Sequence, residues 1–261
     1  MTVWSLSAAM VSDRLIWAAA LALLGAIAGS SVAALVVRWP EGRSVMRGRS
    51  ECDACGATLR ARDLVPLASA LALRGRCRDC GARIEPIHAW IEVGGVVIGA
   101  AAGFVAAGPV ALAGAAFGWV LLALAALDLK HWWLPDRLTA TLALTGVTAG
   151  AVGIAPALDE RLIGGAAGFA ALWGIAAAYE RVRGREGMGG GDPKLFGAIG
   201  LWLGWRMLPG VLLLASVIGL GWVAWTLARG GRVAATDALP FGVLLAAAAY
   251  PAWLAMIAWS A

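Results

Sequence analysis

Long apolar runs alternate with short polar breaks along almost the whole chain, and only one break is extended, at residues 38–88. The runs lie at about 15–37, 89–107, 109–127, 138–156, 162–180, 195–208, 210–228 and 240–259. A hydrocarbon core of ~30 Å takes roughly 20 helical residues to cross. Lipid offers no hydrogen-bonding partner to the backbone, so each run is predicted to be an α-helix. The expected fold is an all-α polytopic membrane protein, a bundle of about eight transmembrane helices. The sixth run is short, and Pro209 interrupts the sequence that follows it. The first run is long enough to remain as an anchor, and the residues before it lack the basic stretch of a cleavable signal.

Composition supports lipid as the solvent. Of 261 residues, 61% are hydrophobic and 14% charged, and mean hydropathy is +0.80. A soluble domain of this length exposes far more charge. The 35 glycines suit close helix–helix approach, since packing rather than hydrophobic transfer drives association in a bilayer. The net charge of +5 points to membrane lipid as partner and not to nucleic acid, because of how it is distributed. Ten arginines fall in 38–88, and Arg181, Arg183, Arg185, Lys194, Arg229 and Arg232 fall in later breaks. The alternate breaks carry little positive charge. Basic loops stay cytoplasmic, so the polar insert is expected in the cytoplasm and both termini on the opposite side. The domain organisation then reads as a first transmembrane helix (1–37), a cytoplasmic insert (38–88) and a transmembrane bundle (89–261).

The insert is too small to bury a large core, and it holds all four cysteines in a repeated hexamer, Cys52-Asp-Ala-Cys55-Gly-Ala and Cys77-Arg-Asp-Cys80-Gly-Ala. Twenty-one residues separate the two pairs. Cys52, Cys55, Cys77 and Cys80 can supply four thiolates to one tetrahedral ion, for which structural zinc is the default. Gly56 and Gly81 supply the positive φ that a thiolate knuckle requires. Redox-active thiols and a pair of disulfides are the alternatives, the latter disfavoured in a reducing compartment.

Two carboxylates stand at the edges of apolar runs. Asp128 closes the third run, and Asp192 follows the glycine-rich stretch Gly187-Met188-Gly189-Gly190-Gly191 and precedes Pro193-Lys194. Ionisable groups at the edge of hydrocarbon are costly and point to function. The alternation of spans returns both aspartates to one membrane face. Two carboxyls in contact cannot both ionise, so one keeps a proton while the other acts as base. That chemistry hydrolyses a peptide without a metal or a nucleophilic side chain. Asp192 is expected to cap the sixth helix, with Pro193 at its first position, and Asp136 to cap the fourth. Asp128, near a helix C-terminus after a long apolar run, is expected to hold the resting proton. Gly189 and Gly191 leave bare backbone for an extended substrate, and Lys194 belongs to the same loop. His88 and His131 read as interfacial side chains and not as ligands.

These residues carry a family resemblance. Gly189-Gly190-Gly191-Asp192 fits a Gly-x-Gly-Asp motif, and the segment from Gly187 to Leu195 resembles that of the type IV prepilin peptidases. Asp128 followed by Leu134-Pro135-Asp136 resembles the family's second aspartate motif. Arg38-Trp39-Pro40, the cysteine pairs around Leu73-Arg74-Gly75-Arg76 and Glu92 resemble its cytoplasmic domain. The chain departs from the family at Gly29-Ser30-Ser31-Val32-Ala33, where an asparagine is usual, and at Glu85-Pro86-Ile87-His88-Ala89-Trp90. The resemblance implies a bacterial inner-membrane aspartyl protease that removes the basic leader from type IV prepilins or type II secretion pseudopilins. It makes Asp128 and Asp192 the catalytic pair and the four cysteines the metal knuckles. It also implies methylation of the new N-terminus with S-adenosylmethionine as a second activity. Acidic residues of the insert (Glu41, Glu51, Asp53, Asp63, Asp79) have two uses, meeting a basic leader or pairing with the insert's own arginines. The competing readings are a transporter with intramembrane carboxylates and a non-catalytic assembly factor with a zinc module.

Overall fold

The computed structural model describes residues 3–44, 49–52, 54–185, 187–234 and 238–260, with side chains from Ser12 to Trp259 within that set. Among the described residues the secondary structure is helical, apart from two isolated antiparallel bridges in the insert, Glu51 with Thr58 and Arg76 with Arg83. The helices are α1 (Val3–Arg38), α2 (Ala68–Ala72), α3 (Pro86–Val105), α4 (Gly108–His131), α5 (Asp136–Ala151), α6 (Leu158–Arg183), α7 (Gly191–Leu203), α8 (Leu208–Ala228) and α9 (Phe241–Ser260). A helix forms at each of the eight apolar runs, and six are long and apolar enough to cross a bilayer: α1, α3, α4, α6, α8 and α9. The protein is a multi-pass membrane protein.

The other two helices differ from the expected eight full spans. At 16 and 13 residues, α5 and α7 reach only about 24 and 20 Å. Pro209 does not split a span but occupies the first turn of α8, where its missing N–H is harmless. The break lies instead at Gly204, whose φ of +71° ends α7 while its N–H bonds the carbonyl of Gly200.

The chain forms two compact units, Met1–Ala123 and Leu124–Ala261, which divide within α4. In the first, α1 packs along α3. Gly25 on α1 faces Gly95, and a side chain at Gly95, Gly99 or Gly103 would enter the backbone of α1. This four-residue spacing of small residues is what lets two helices approach closely in lipid. Trp119 on α4 donates its indole N–H to the Gly95 carbonyl at 3.0 Å. The insert is tied to α3 through Glu92, whose carboxylate accepts the Leu67 N–H at 2.8 Å. Leu67 carries a φ of +59°, a conformation that costs a branched side chain about 1 kcal/mol or more.

In the second unit, α7 packs against α5, α6 and α9. Nearly all of it is buried, including Leu195, Phe196, Ile199, Trp202 and Leu203. Gly164 and Gly168 on α6 meet the backbone of α7, so these axes also approach closely. The far end of α7 is fixed by Arg161, which is fully buried in α6. Its Nε donates to the carbonyl of Pro156 (2.9 Å), Nη1 to those of Gly146 (3.2 Å) and Leu201 (2.9 Å), and Nη2 to those of Ile154 (3.1 Å) and Ala155 (2.8 Å). All five guanidinium donors thus meet backbone carbonyls from α5, the loop after it and α7. Carbonyls near helix C-termini carry partial negative charge, which favours a cation there. The Trp202 ring lies 5.7 Å from the guanidinium carbon and adds a cation–π contact.

Replacing Arg161 with Met removes all five of these hydrogen bonds, and we expect a loss of about 3 kcal/mol or more. Arg161→Lys restores charge but supplies only three donors from a point, so it recovers part of that loss. Thermal unfolding in detergent checks both, and a wild-type melting temperature for Arg161→Met contradicts the clamp.

Candidate active site and metal centre

Asp128 lies in the last turns of α4 and not at its end, because the helix continues to His131 before Trp132 turns out with a φ of +53°. Its side chain is 6% exposed and that of Asp192 is 7% exposed, and the two carboxyls interact electrostatically. Asp192 does not cap α7 as expected. It occupies the first turn, and its carboxyl reaches back to the N–H of Gly189 while its own N–H bonds the Gly189 carbonyl at 3.2 Å. Pro193 falls inside the same turn.

Asp128 has its own backbone donor. The N–H of Val243, in the first turn of α9, donates to Oδ2 at 3.1 Å, and the Gly242 N–H faces the same carboxyl. The first helical turn leaves N–H groups without intrahelical partners, and a buried carboxylate uses them here. Nothing in the sequence around Asp128 points to residues 242–243. A carboxylate seeking donors, together with Pro240 as a helix-start signal, is the only clue the chain offers.

Leu134 joins the two aspartate-bearing segments. A side chain at Gly191 would meet Leu134 Cβ at 2.9 Å, and one at Gly242 would meet Leu134 Cδ1 at 3.0 Å and Asp128 Oδ2 at 2.8 Å. Gly191 is therefore explained by packing. Gly189 and Gly190 are not: a side chain at Gly190 meets nothing within 4 Å, and one at Gly189 meets only Asp192 Oδ2, at 3.7 Å. Neither of these two has a positive φ. The loop also folds against α6, where Gly187 faces the Tyr179 ring and Arg185 donates to the Tyr179 hydroxyl at 3.3 Å.

Asp136 is not a cap either. It is the first residue of α5, and its Oδ1 accepts Lys194 Nζ at 2.7 Å, joining the N-terminal ends of α5 and α7. Both side chains are about half exposed or more, so the pair contributes about 0–1 kcal/mol. It takes the Lys194 charge to Asp136.

In the first unit, the Sγ atoms of Cys52, Cys55, Cys77 and Cys80 lie within 4.8 Å of one another, and Cys52 and Cys80 are 3.9 Å apart. Thiolates bound tetrahedrally at ~2.3 Å stand about 3.8 Å apart, so this set can hold a metal ion. Each pair repeats one knuckle. The Gly56 and Gly81 N–H groups bond the carbonyls of Cys52 and Cys77 at 2.8 and 3.0 Å, with φ of +70° and +71°. The N–H groups of Cys80 and then Asp79 draw the Cys77 thiol down to about 7. At Cys55 the Ala57 N–H pulls downward, but the hydrogen bond with Cys80, burial and Cys52 outweigh it and push the thiol up to about 12. Four thiolates this close need a cation to ionise together.

The insert's acidic residues divide. Glu41 pairs with Arg43 at 2.7 Å and Asp63 with Arg78 at 2.6 Å. The Arg78 hydrogen bond holds the Asp63 carboxyl below the usual carboxylate range, so that strap persists at neutral pH and is lost only as acid protonates Asp63. Asp53 lies outside the described residues.

Residues 115–224 match the type IV leader peptidase family, and residues 23–105 match the bacterial peptidase A24 N-terminal domain. The chain is 38% identical over 217 residues to a prepilin leader peptidase/N-methyltransferase of Aeromonas hydrophila, covering 82% of this chain and 73% of that protein. Against its namesake in Pseudomonas aeruginosa it is 34% identical over 218 residues, covering 80% and 71%. Against that of Burkholderia pseudomallei it is 44% identical over 206 residues, covering 76% and 64%. The chain thus spans just under two thirds of the Burkholderia protein's length. No solved structure matches it.

The cysteine geometry predicts one metal ion per chain by elemental analysis, lost in Cys77→Ser. Stripping it with a chelator should raise the count of titratable thiols to four. A metal-free protein with all four thiols already titratable contradicts the centre.

Proposed function

The chain belongs to the type IV leader peptidase family, and from that premise we propose that it is an intramembrane aspartic endopeptidase acting on the leader peptides of type IV prepilins or type II secretion pseudopilins. The observation that carries the reading is the pair of buried, electrostatically coupled carboxyls at Asp128 and Asp192. Like charges in one desolvated site favour a single shared proton. The ionised carboxyl takes a proton from water, and the oxygen adds to the scissile carbonyl carbon. The protonated carboxyl donates to the carbonyl oxygen. Return of a proton to the amide nitrogen then breaks the C–N bond. The two aspartates occupy helix ends, in the last turns of α4 and the first turn of α7, which suits a cleavage point at a water–lipid boundary better than a mid-bilayer relay.

Gly189 and Gly190 support the reading, because among the described residues their missing side chains relieve no close contact. Bare backbone beside Asp192 admits an extended peptide. The basic breaks support a bacterial inner-membrane topology with the insert and the dyad cytoplasmic and both termini periplasmic. Under that topology the dyad meets the point where a basic leader joins an apolar helix.

We assign zinc to the four cysteines as a structural ion. Four thiolates close its coordination shell and leave no catalytic position, so its contribution is to fold the insert. N-methylation of the new terminus with S-adenosylmethionine is the further half of the proposal. The names of the relatives are its support, and no side-chain cluster among the described residues is assigned to the methyl donor.

The test is incubation with a prepilin, reading the N-terminus and mass of the product. Asp128→Asn and Asp192→Asn should each reduce cleavage by about 10⁴-fold or more while leaving the melting temperature near wild type. Cleavage that survives either substitution overturns the dyad. With methyl donor present, shortening without a methyl increment leaves the peptidase and removes the transferase.

A further inference from the structure

The first turn of α9 lies outside the residues matched by the leader peptidase family model, which end at 224. It nonetheless donates a backbone hydrogen bond to Asp128, from Val243 N–H to Oδ2. We propose that this turn is a positioning element for Asp128, in which Val243 N–H fixes the carboxylate and Gly242 leaves the space that it occupies. The inference rests on the reading of Asp128 and Asp192 as an acid–base pair.

Three observations carry it. Val243 N–H donates to Asp128 Oδ2 at 3.1 Å and also bonds the Pro240 carbonyl at 3.1 Å, so one donor serves both the turn and the carboxylate. A side chain at Gly242 would meet Asp128 Oδ2 at 2.8 Å and Cγ at 3.1 Å. Real Cβ atoms essentially never come that close, so a methyl at 242 displaces the carboxyl or the turn. Gly242 has no positive φ, and the space taken by the carboxylate and Leu134 is the reason for glycine there.

Leu134 extends the device. It packs against both Gly242 and Gly191, so α9 and the Asp192 turn share one apolar spacer. The charged and titratable group interacting with Asp128 across the site is Asp192 on α7. Lys194 on that helix is paired with Asp136. A backbone donor held by a helix start does not reorganise when charge moves between the carboxyls, which is what preorganisation demands. A displacement of about 1 Å at a reacting group is enough to cost about 10²-fold in rate.

The experiment is a steady-state cleavage assay with a peptide spanning a prepilin leader junction, on the full chain in detergent. Gly242→Ala should lower kcat by about tenfold or more with KM within about twofold. The same loss should appear when Gly242→Ala is added to Leu134→Ala, because removing Leu134 relieves the leucine contact but not the carboxylate contact. Recovery in the Leu134→Ala background, or wild-type kcat for Gly242→Ala, overturns the proposal. An amide-to-ester exchange at Val243, which deletes the N–H and keeps the side chain, should lower kcat by about tenfold. If Gly242→Ala fails to fold, the ester decides alone, and a wild-type kcat there overturns the proposal. Asp128→Asn in the same assay separates the two readings. Activity in Asp128→Asn sinks the acid–base pair itself, whereas an inactive Asp128→Asn beside a wild-type Gly242→Ala sinks only the positioning element.

Discussion

A helix shorter than a full hydrocarbon span leaves its ends without lipid-independent partners unless other helices enclose it, and the second unit is arranged around that constraint at α7. Its 13 residues are nearly all buried among α5, α6 and α9. Close approach requires glycine on the facing surfaces, and Gly164 and Gly168 of α6 provide it against Gly200 and Phe196. Both ends of such a helix leave backbone groups that lipid cannot satisfy. At the C-terminal end Arg161 donates to the Leu201 carbonyl while its other donors hold α5 and the loop after it, and Gly204 closes the last turn. At the other end the Asp192 carboxyl reaches back to the N–H of Gly189, two residues before the helix begins. A residue of the helix's first turn is therefore also the one proposed for chemistry, while Arg161 holds the opposite end of the same helix.

The same reasoning extends to Asp128. A carboxylate buried in the last turns of α4 needs donors, and the start of α9 has N–H groups that need acceptors. Each resolves the other's deficit, with Leu134 packed between the α9 turn and the Asp192 turn. In the first unit, by contrast, backbone N–H groups face sulfur. The knuckles at Cys52–Cys55 and Cys77–Cys80 use the same polar satisfaction to prepare a cation site and not a proton site.

Much of this was legible from residue order alone. Apolar runs located every long helix, since a bilayer permits few alternatives. Asp128, Asp192 and the cysteine knuckles stood out because charge and thiol are rare in such a chain, and Gly56 and Gly81 adopt the positive φ that the repeated hexamer demands. Helix lengths were less legible. Hydropathy counts apolar residues without distinguishing lipid from protein as their surroundings, so nothing in the run at α7 showed that other helices enclose it. Arg161 was hidden because a single arginine beside a loop looks interfacial, and only tertiary structure gathers its five carbonyls. The caps expected at Asp136 and Asp192 failed for a related reason. Local rules assign a carboxylate to its own helix, whereas here Lys194 and Gly189 bid for it. Gly242 and Val243 gave no sequence signal of their own, being separated from Asp128 by more than a hundred residues.

The central claim is that Asp128 and Asp192 act as one titrating unit. Infrared titration of the purified protein measures it most directly, by following the carboxylic C=O band against pH in the wild type and in Asp128→Asn and Asp192→Asn. The account predicts one protonated carboxyl retained at neutral pH in the wild type, and loss of that band when either aspartate is replaced. Two carboxyls that ionise independently, with the titration of each unchanged by removal of the other, would contradict it.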